Sequence, residues 1–152
     1  MLFRTHLVFA VAIYFLLLKV MIVESPVLFF VGIVLGAALV DIDTSKSKMG
    51  KFWLFRPFQI FVRHRGFFHS VFVAFLFGLV LAYFWVYVGL GFFIGFISHL
   101  FLDSLTPAGV RPFWPFLKKK ASFGFKTGGI FETVIFSLLL LLDIWFLFRL
   151  VF

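Results

Sequence analysis

The sequence predicts an all-α fold: a polytopic membrane helix bundle of about five transmembrane helices, N-terminus in and C-terminus out, with amphipathic segments lying in the interface. Three observations predict it. Only 13% of the 152 residues are charged and 64% are hydrophobic, against about 25% charged in soluble domains. Apolar runs of spanning length recur along the chain, and the cations between them are distributed very unevenly. The length suits one integral membrane domain over 1–152. With no cysteine, disulfides and thiolate metal sites are excluded, so any metal must be held by nitrogen and oxygen.

A spanning helix needs about 20 mainly apolar residues, with about 17–25 tolerated. Five segments meet or approach this: 7–23, 26–41, 67–88, 89–105 and 130–152. The first lacks a small-residue cleavage site and follows His6, so it reads as a retained helix and not as a signal peptide. The second is short and begins at Pro26, and the fourth is short and begins at the glycines 89 and 91. With the N-terminus inside, Arg4, the six cations of the 42–66 loop and the five of the 106–129 loop are cytoplasmic, against Lys19 and Arg149 outside. Cations collect in cytoplasmic loops, which fixes the orientation and accounts for the net charge of +8 without nucleic acid. Both inner loops are also aromatic, "KFWLFRPFQIFVR" and "RPFWPFLKKKASFGF"; Trp53 and Trp114 suit the headgroup level, so these loops are expected to lie in the interface.

The scarce polar residues converge on this scheme. His6 opens the first helix at its inner end; Asp41 and Asp43 close the second; His64 and His69 open the third. His99 and Asp103 share one face in the last turns of the fourth, being four apart, and Glu132 opens the fifth. Eight candidate ligands from every span thus sit at one depth. "GIVLG" (Gly32, Gly36) and "GFFIG" (Gly91, Gly95) permit close approach of the helices that carry the aspartates and the His–Asp pair. Imidazoles and carboxylates without sulfur suit one or two divalent ions, zinc first, manganese or iron next. Packed at a membrane interface, such groups are costly unless paired or metal-bound.

The residues differ in weight. His64, His69, His99 and Asp103 are the strongest ligands. Asp41 and Asp43, two apart at a helix end, share a site only if the helix unwinds there, and two anions at a helix C-terminus have no electrostatic justification of their own. His6 reads either as a ligand or as the start of a helix. Glu132 in "GGIFE" reads equally as a ligand or as a capping-box glutamate with Gly129 at the N-cap. Asp143 lies about 16 Å beyond Glu132 along the helix and is left out of the site.

"THLVF", "DID", "HRGFFHS" and "SHLFLDSLTPAGV", in this order and spacing, together resemble the YdjM-type family of membrane-bound metal-dependent hydrolases, also described as LexA-binding inner-membrane proteins. The resemblance covers essentially the whole chain. That family is in turn similar to the all-helical zinc phospholipase C superfamily, which cleaves phosphoesters on a metal cluster held by His and Asp, including a His-x-x-x-Asp pair. The resemblance implies that His99 and Asp103 are that pair, with His6, Asp41, Asp43, His64 and His69 as further ligands. It also implies a hydrolase.

The expected activity is cleavage of a phosphoester in a phospholipid or lipid-linked phosphate at the cytoplasmic face of the cell (inner) membrane. Asp41 or Asp43 would act as general base on water, and Arg65 would bind phosphate through its guanidinium. Lys126 with "TGG" before the fifth helix offers a second anion site. A lipid can keep its tail in the bilayer while its headgroup reacts, which favours lipid over soluble substrates. Ser70 and Ser104 lack a separate base–acid pair, so water is the nucleophile. A non-enzymatic membrane or partner-binding protein is the alternative, and a metal transporter or a nuclease is less favoured; the sequence names no protein partner.

Overall fold

The computed structural model describes residues 1–43, 53 and 67–152. Among the described residues the chain forms α1 (Phe3–Val20), α2 (Pro26–Leu39), α3 (Val71–Phe84), α4 (Val86–Ser104) and α5 (Ile130–Val151). Single 3₁₀ turns follow α2 at Val40–Asp43 and precede α3 at Phe67–His69. The architecture is an all-α, membrane-associated bundle. α1, α4 and α5 are apolar over 18 residues or more, long enough to cross a membrane, while α2 and α3 are apolar but have 14 residues each. Fourteen residues reach about 21 Å, short of a hydrocarbon core of about 30 Å.

α4 is the central helix, packed against α1, α2 and α3, whereas α5 packs on α1. Glycines set the closest of these contacts. Gly32 and Gly36 lie against the backbone of Val88 and Phe92, and Gly91 and Gly95 lie against the backbone of Phe29 and Ile33. A Cβ at any of the four would overlap main-chain atoms of the facing helix, so the two GxxxG faces meet backbone to backbone. Against these helices, Phe29, Ile33 and Ala37 join Ala10 and Tyr14 in one apolar cluster, and Phe92, Phe96 and Leu100 join Val73 and Ala74 in another.

The third and fourth helices do not divide at the glycines as expected from the sequence. The break is at Trp85, a single extended residue (φ −144°, ψ 97°) that ends α3 and starts α4. Gly89 lies inside α4, where it lets Gly78 and Ala82 of α3 approach. The glycine serves packing between the two arms of the hairpin, and the turn is made before it. The first helix also starts earlier than expected, at Phe3, so that His6 lies within its first turns.

α3 begins at Ser70, whose Oγ accepts from Val73 N–H at 3.3 Å and donates to the Phe67 carbonyl at 2.7 Å. This buried hydroxyl therefore fixes the turn that carries His69. Ser70→Ala is expected to lower stability by about 1 kcal/mol through the lost cap, measured as a fall in melting temperature of the detergent-solubilised protein. The segment after α4 folds back on the bundle: an isolated bridge joins Val110 to Ala121, and Val71 N–H donates to the Pro112 carbonyl at 2.8 Å. At the opposite ends of α1 and α5, Lys19 places its ammonium 5.0 Å from the Trp145 ring and 4.6 Å from Phe146, a cation–π contact.

Candidate metal centre

Asp41, His69, His99 and Asp103 come together at one end of the bundle, each offering one ligand atom within 4.8 Å of the others. They arrive from four places: the 3₁₀ turn after α2, the 3₁₀ turn before α3, and two successive turns of α4. Asp41 Oδ1 lies 3.6 Å from both His69 Nε2 and His99 Nε2, and Asp103 Oδ2 lies 3.8 Å from His99 Nε2. Ligand atoms about 2.0–2.1 Å from a tetrahedral zinc stand about 3.3 Å apart, so these separations exceed that by a few tenths of an ångström. Both histidines are wholly buried and Asp103 is 3% exposed.

His99 is oriented for the task. Its Nδ1 lies 2.8 Å from the Ala37 carbonyl. A carbonyl only accepts, so Nδ1 carries the proton and donates, leaving the Nε2 lone pair directed at the two aspartates. His99 Nε2 is buried and has no hydrogen-bond partner among the described residues. Leaving such an atom unmet costs about 1–3 kcal/mol, and coordination to a cation offsets that cost. The donor set, the spacing and this orphaned nitrogen all fit a divalent metal, and the cluster is capable of coordinating one.

His6 adjoins the group. Its ring stacks on His99 with centroids 3.9 Å apart and planes 11° apart, and its Nε2 lies 3.4 Å from Asp103 Oδ1. That oxygen also accepts from the Met1 amine at 2.9 Å. Both ring nitrogens of His6 are buried without a hydrogen-bond partner among the described residues. His64 and Arg65 lie outside the described residues, and so does the side chain of Asp43. α2 gives way to a 3₁₀ turn after Leu39, so Asp41 projects from a tighter helix than the one before it.

Glu132 is buried but lies outside the four-residue group. Its Oε1 accepts from Leu2 N–H at 2.6 Å and Thr5 Oγ at 2.8 Å, while Oε2 accepts from Gly128 N–H at 2.6 Å. It thus caps α5 one residue before the position a capping box would use and also satisfies the start of α1, which has no side-chain cap of its own. Because Thr5 precedes His6, Glu132 sets the depth at which that imidazole enters the site. Glu132→Leu is expected to strand three donors and lower stability by about 3 kcal/mol or more. Its melting temperature should fall well below that of Ser70→Ala. Lys126 is exposed, and the nearby Gly128 N–H is already engaged by Glu132.

Ser104 Oγ donates to the Phe101 carbonyl at 2.6 Å, and Ser70 is the α3 cap; both hydroxyls are used structurally. Sequence reasoning missed two positioning groups. The Ala37 carbonyl has no signature in sequence, since every residue carries one. The Ser70 cap was legible, as a serine immediately before an apolar run. Asp143 is buried midway along α5 with Oδ1 unpartnered among the described residues, away from the cluster.

The family model described as YdjM inner membrane protein matches residues 1–151. Two curated relatives, each named inner membrane protein YdjM, come from Escherichia coli (strain K12) and Shigella flexneri. Each is 38% identical over 94 residues, covering 54% of this chain and 46% of the relative. The chain thus spans about half the length of the curated relatives it matches. No solved structure matches it. The buried His–Asp cluster makes this apolar helix bundle a membrane-associated protein equipped to bind a divalent metal. With its match running from the first helix to the last, the chain belongs to the YdjM inner membrane protein family.

Proposed function

We propose that this protein is a membrane-embedded, metal-dependent hydrolase that cleaves a phosphoester of a phospholipid or lipid-linked phosphate at the cytoplasmic face of the inner membrane. One observation carries the reading: four buried carboxylate and imidazole groups share a space of 4.8 Å, with His99 held by Ala37 so that its basic nitrogen faces the others. In this reading the chain is a single N-in, C-out domain of about five transmembrane helices, α2 and α3 being shorter than the hydrocarbon core, and its basic, aromatic 106–129 segment lies in the interface. The relatives' names support the inner-membrane location.

His69, His99, Asp103 and Asp41 hold the ion, with His6, His64 and Asp43 completing its shell or holding a second one. Zinc is the first choice for this donor set, with manganese or iron the alternatives. When bound, a divalent ion lowers the pKa of water toward about 7 and polarises a phosphoryl oxygen. The protein's own groups do the rest. Asp41 or Asp43 takes the proton of the attacking water. Arg65 clamps the phosphate through paired N–H donors, with Lys126 as a second cation at the same face. The apolar walls keep the lipid tail in the bilayer and bulk water away from the reacting group.

A transporter would need polar groups along a path through the bundle. Among the described residues, the buried imidazoles and carboxylates collect at the end that holds the cluster, and Asp143 is the buried carboxyl group away from it. The test is release of phosphate or of a phosphorylated headgroup from mixed phospholipid vesicles and lipid-linked phosphates by purified protein. Release should stop on chelation and return with zinc or manganese. Chelator-insensitive release would overturn the metal requirement, and no release with any lipid or lipid-linked phosphate would leave a non-enzymatic binding role.

A further inference from the structure

Two apolar clefts meet on the α3–α4 face. The inner one, about 360 Å³, runs between Val71, Phe72 and Phe75 of α3 and Phe93 of α4, and is roofed by the segment Pro112–Leu117. The outer one, about 250 Å³, continues over Gly78, Leu79 and Ala82 of α3 and Gly89 and Leu90 of α4. Phe75 and Phe93 line both, so the two form one groove. From Val71 to Ala82 it extends about 16 Å at the rise of an α-helix, close to half of a hydrocarbon core of about 30 Å, or one leaflet. Small residues make its floor where the helices are closest: a Cβ at Gly89 would overlap the backbone of Gly78 and Ala82, so the two helices touch there and no side chain rises between them into the groove.

The inner mouth differs in kind. Arg111 and Lys118 flank the roof segment, and Lys119 and Lys120 follow; all four are exposed. The whole 106–129 stretch holds five cations and no acid. Trp114 belongs to the same roof, where an indole suits the headgroup level. The mouth also adjoins the metal centre, because Val71, hydrogen-bonded to Pro112, lies two residues after the buried His69.

We propose that this groove binds one acyl chain of an anionic phospholipid, with the phosphate held by Arg111 and Lys118–Lys120. The depth of the groove matches a single leaflet, and the charge at its mouth complements an anionic headgroup. This rests on the reading of a lipid substrate, and it specifies which lipid and by which route.

The test uses the full-length protein in nanodiscs containing trace phosphatidylglycerol with a diazirine in the acyl chain, or the matched phosphatidylcholine. Peptide mapping then locates the photo-adducts. Adducts are expected on Phe75, Leu79 and Phe93, about tenfold heavier with phosphatidylglycerol. Leu79→Trp or Leu90→Trp, which fill the groove from exposed positions, should abolish them. Arg111→Gln with Lys118→Gln should remove the headgroup preference. A melting temperature equal to wild type qualifies each variant, and the two tryptophan variants serve as replacements for one another. Adducts no heavier in the groove than on the lipid-facing Leu138 and Leu141 of α5 would overturn the proposal. Equal labelling by the two lipids would overturn it as an anionic site. Labelling needs no turnover, so adducts without release of phosphate or phosphorylated headgroup would sink the hydrolase reading alone. Release without adducts would sink the groove alone.

Discussion

His99→Ala is expected to strip the protein of bound divalent metal. The substitution removes the ring whose Nε2 faces both Asp41 and Asp103, and it strands the Ala37 carbonyl that aimed that ring. Losing a group that merely orients a ligand costs about 10–100-fold in metal affinity, so losing the ligand should cost at least about 100-fold. Metal analysis of the purified variant should find it nearly empty where wild type is loaded, with phosphate release lost in parallel. The same change should lower the melting temperature with metal present, because a ligand that binds only the folded state stabilises it. That gap should narrow under chelation, when wild type loses the same contribution. Asp41→Asn should follow the same pattern more mildly, since an amide oxygen still coordinates but carries no charge. Unchanged metal content in His99→Ala would remove the basis of the site.

Gly36→Val is expected to disrupt the bundle and the site together. Any Cβ at Gly36 overlaps the backbone of Phe92, and backbone cannot rotate away as a side chain can. Overpacking in a core costs about 1–3 kcal/mol and more where the neighbour is rigid. The axis of α2 must then shift outward from α4. Asp41 lies five residues beyond Gly36 and meets His99 across this contact, so the displacement reaches the cluster. Metal content should fall along with melting temperature. Gly124→Ala is the control: nothing stands within 4 Å of its added Cβ, and its stability should stay within about 0.5 kcal/mol of wild type. A Gly36→Val protein that melts and binds metal like wild type would show that the α2–α4 contact does not set the site.

The breaks between helices show how far sequence reasoning reaches. Pro26 marks the start of α2 in sequence because its ring sets φ and supplies no N–H, wherever it sits. The sequence places the α3–α4 turn at Gly89 and Gly91, yet it lies at Trp85. A glycine permits either a turn or a close helix contact, and only the facing residues, here Gly78 and Ala82, decide between them. Glu132 is a similar case: an acid in the first turn of a helix is legible as a cap, but the reach of the same carboxylate to Leu2 and Thr5 is not. His64, Arg65 and the side chain of Asp43 lie outside the described residues, so their roles rest on the sequence motif alone.

The sequence by itself determined the class and the cast. A chain that is 64% hydrophobic with apolar runs of spanning length must satisfy its backbone with helices, and it has few groups other than four histidines and six acids that can bind metal. Both statements follow from composition and one-dimensional spacing. Tertiary structure decided which members of that cast meet. Asp41 and His99 are 58 residues apart, and their 3.6 Å separation depends on glycine faces that let two backbones touch. His99 also owes its orientation to a carbonyl in the opposite helix. Such contacts depend on which helix faces which, and at what depth, and packing sets that only once the whole bundle has formed.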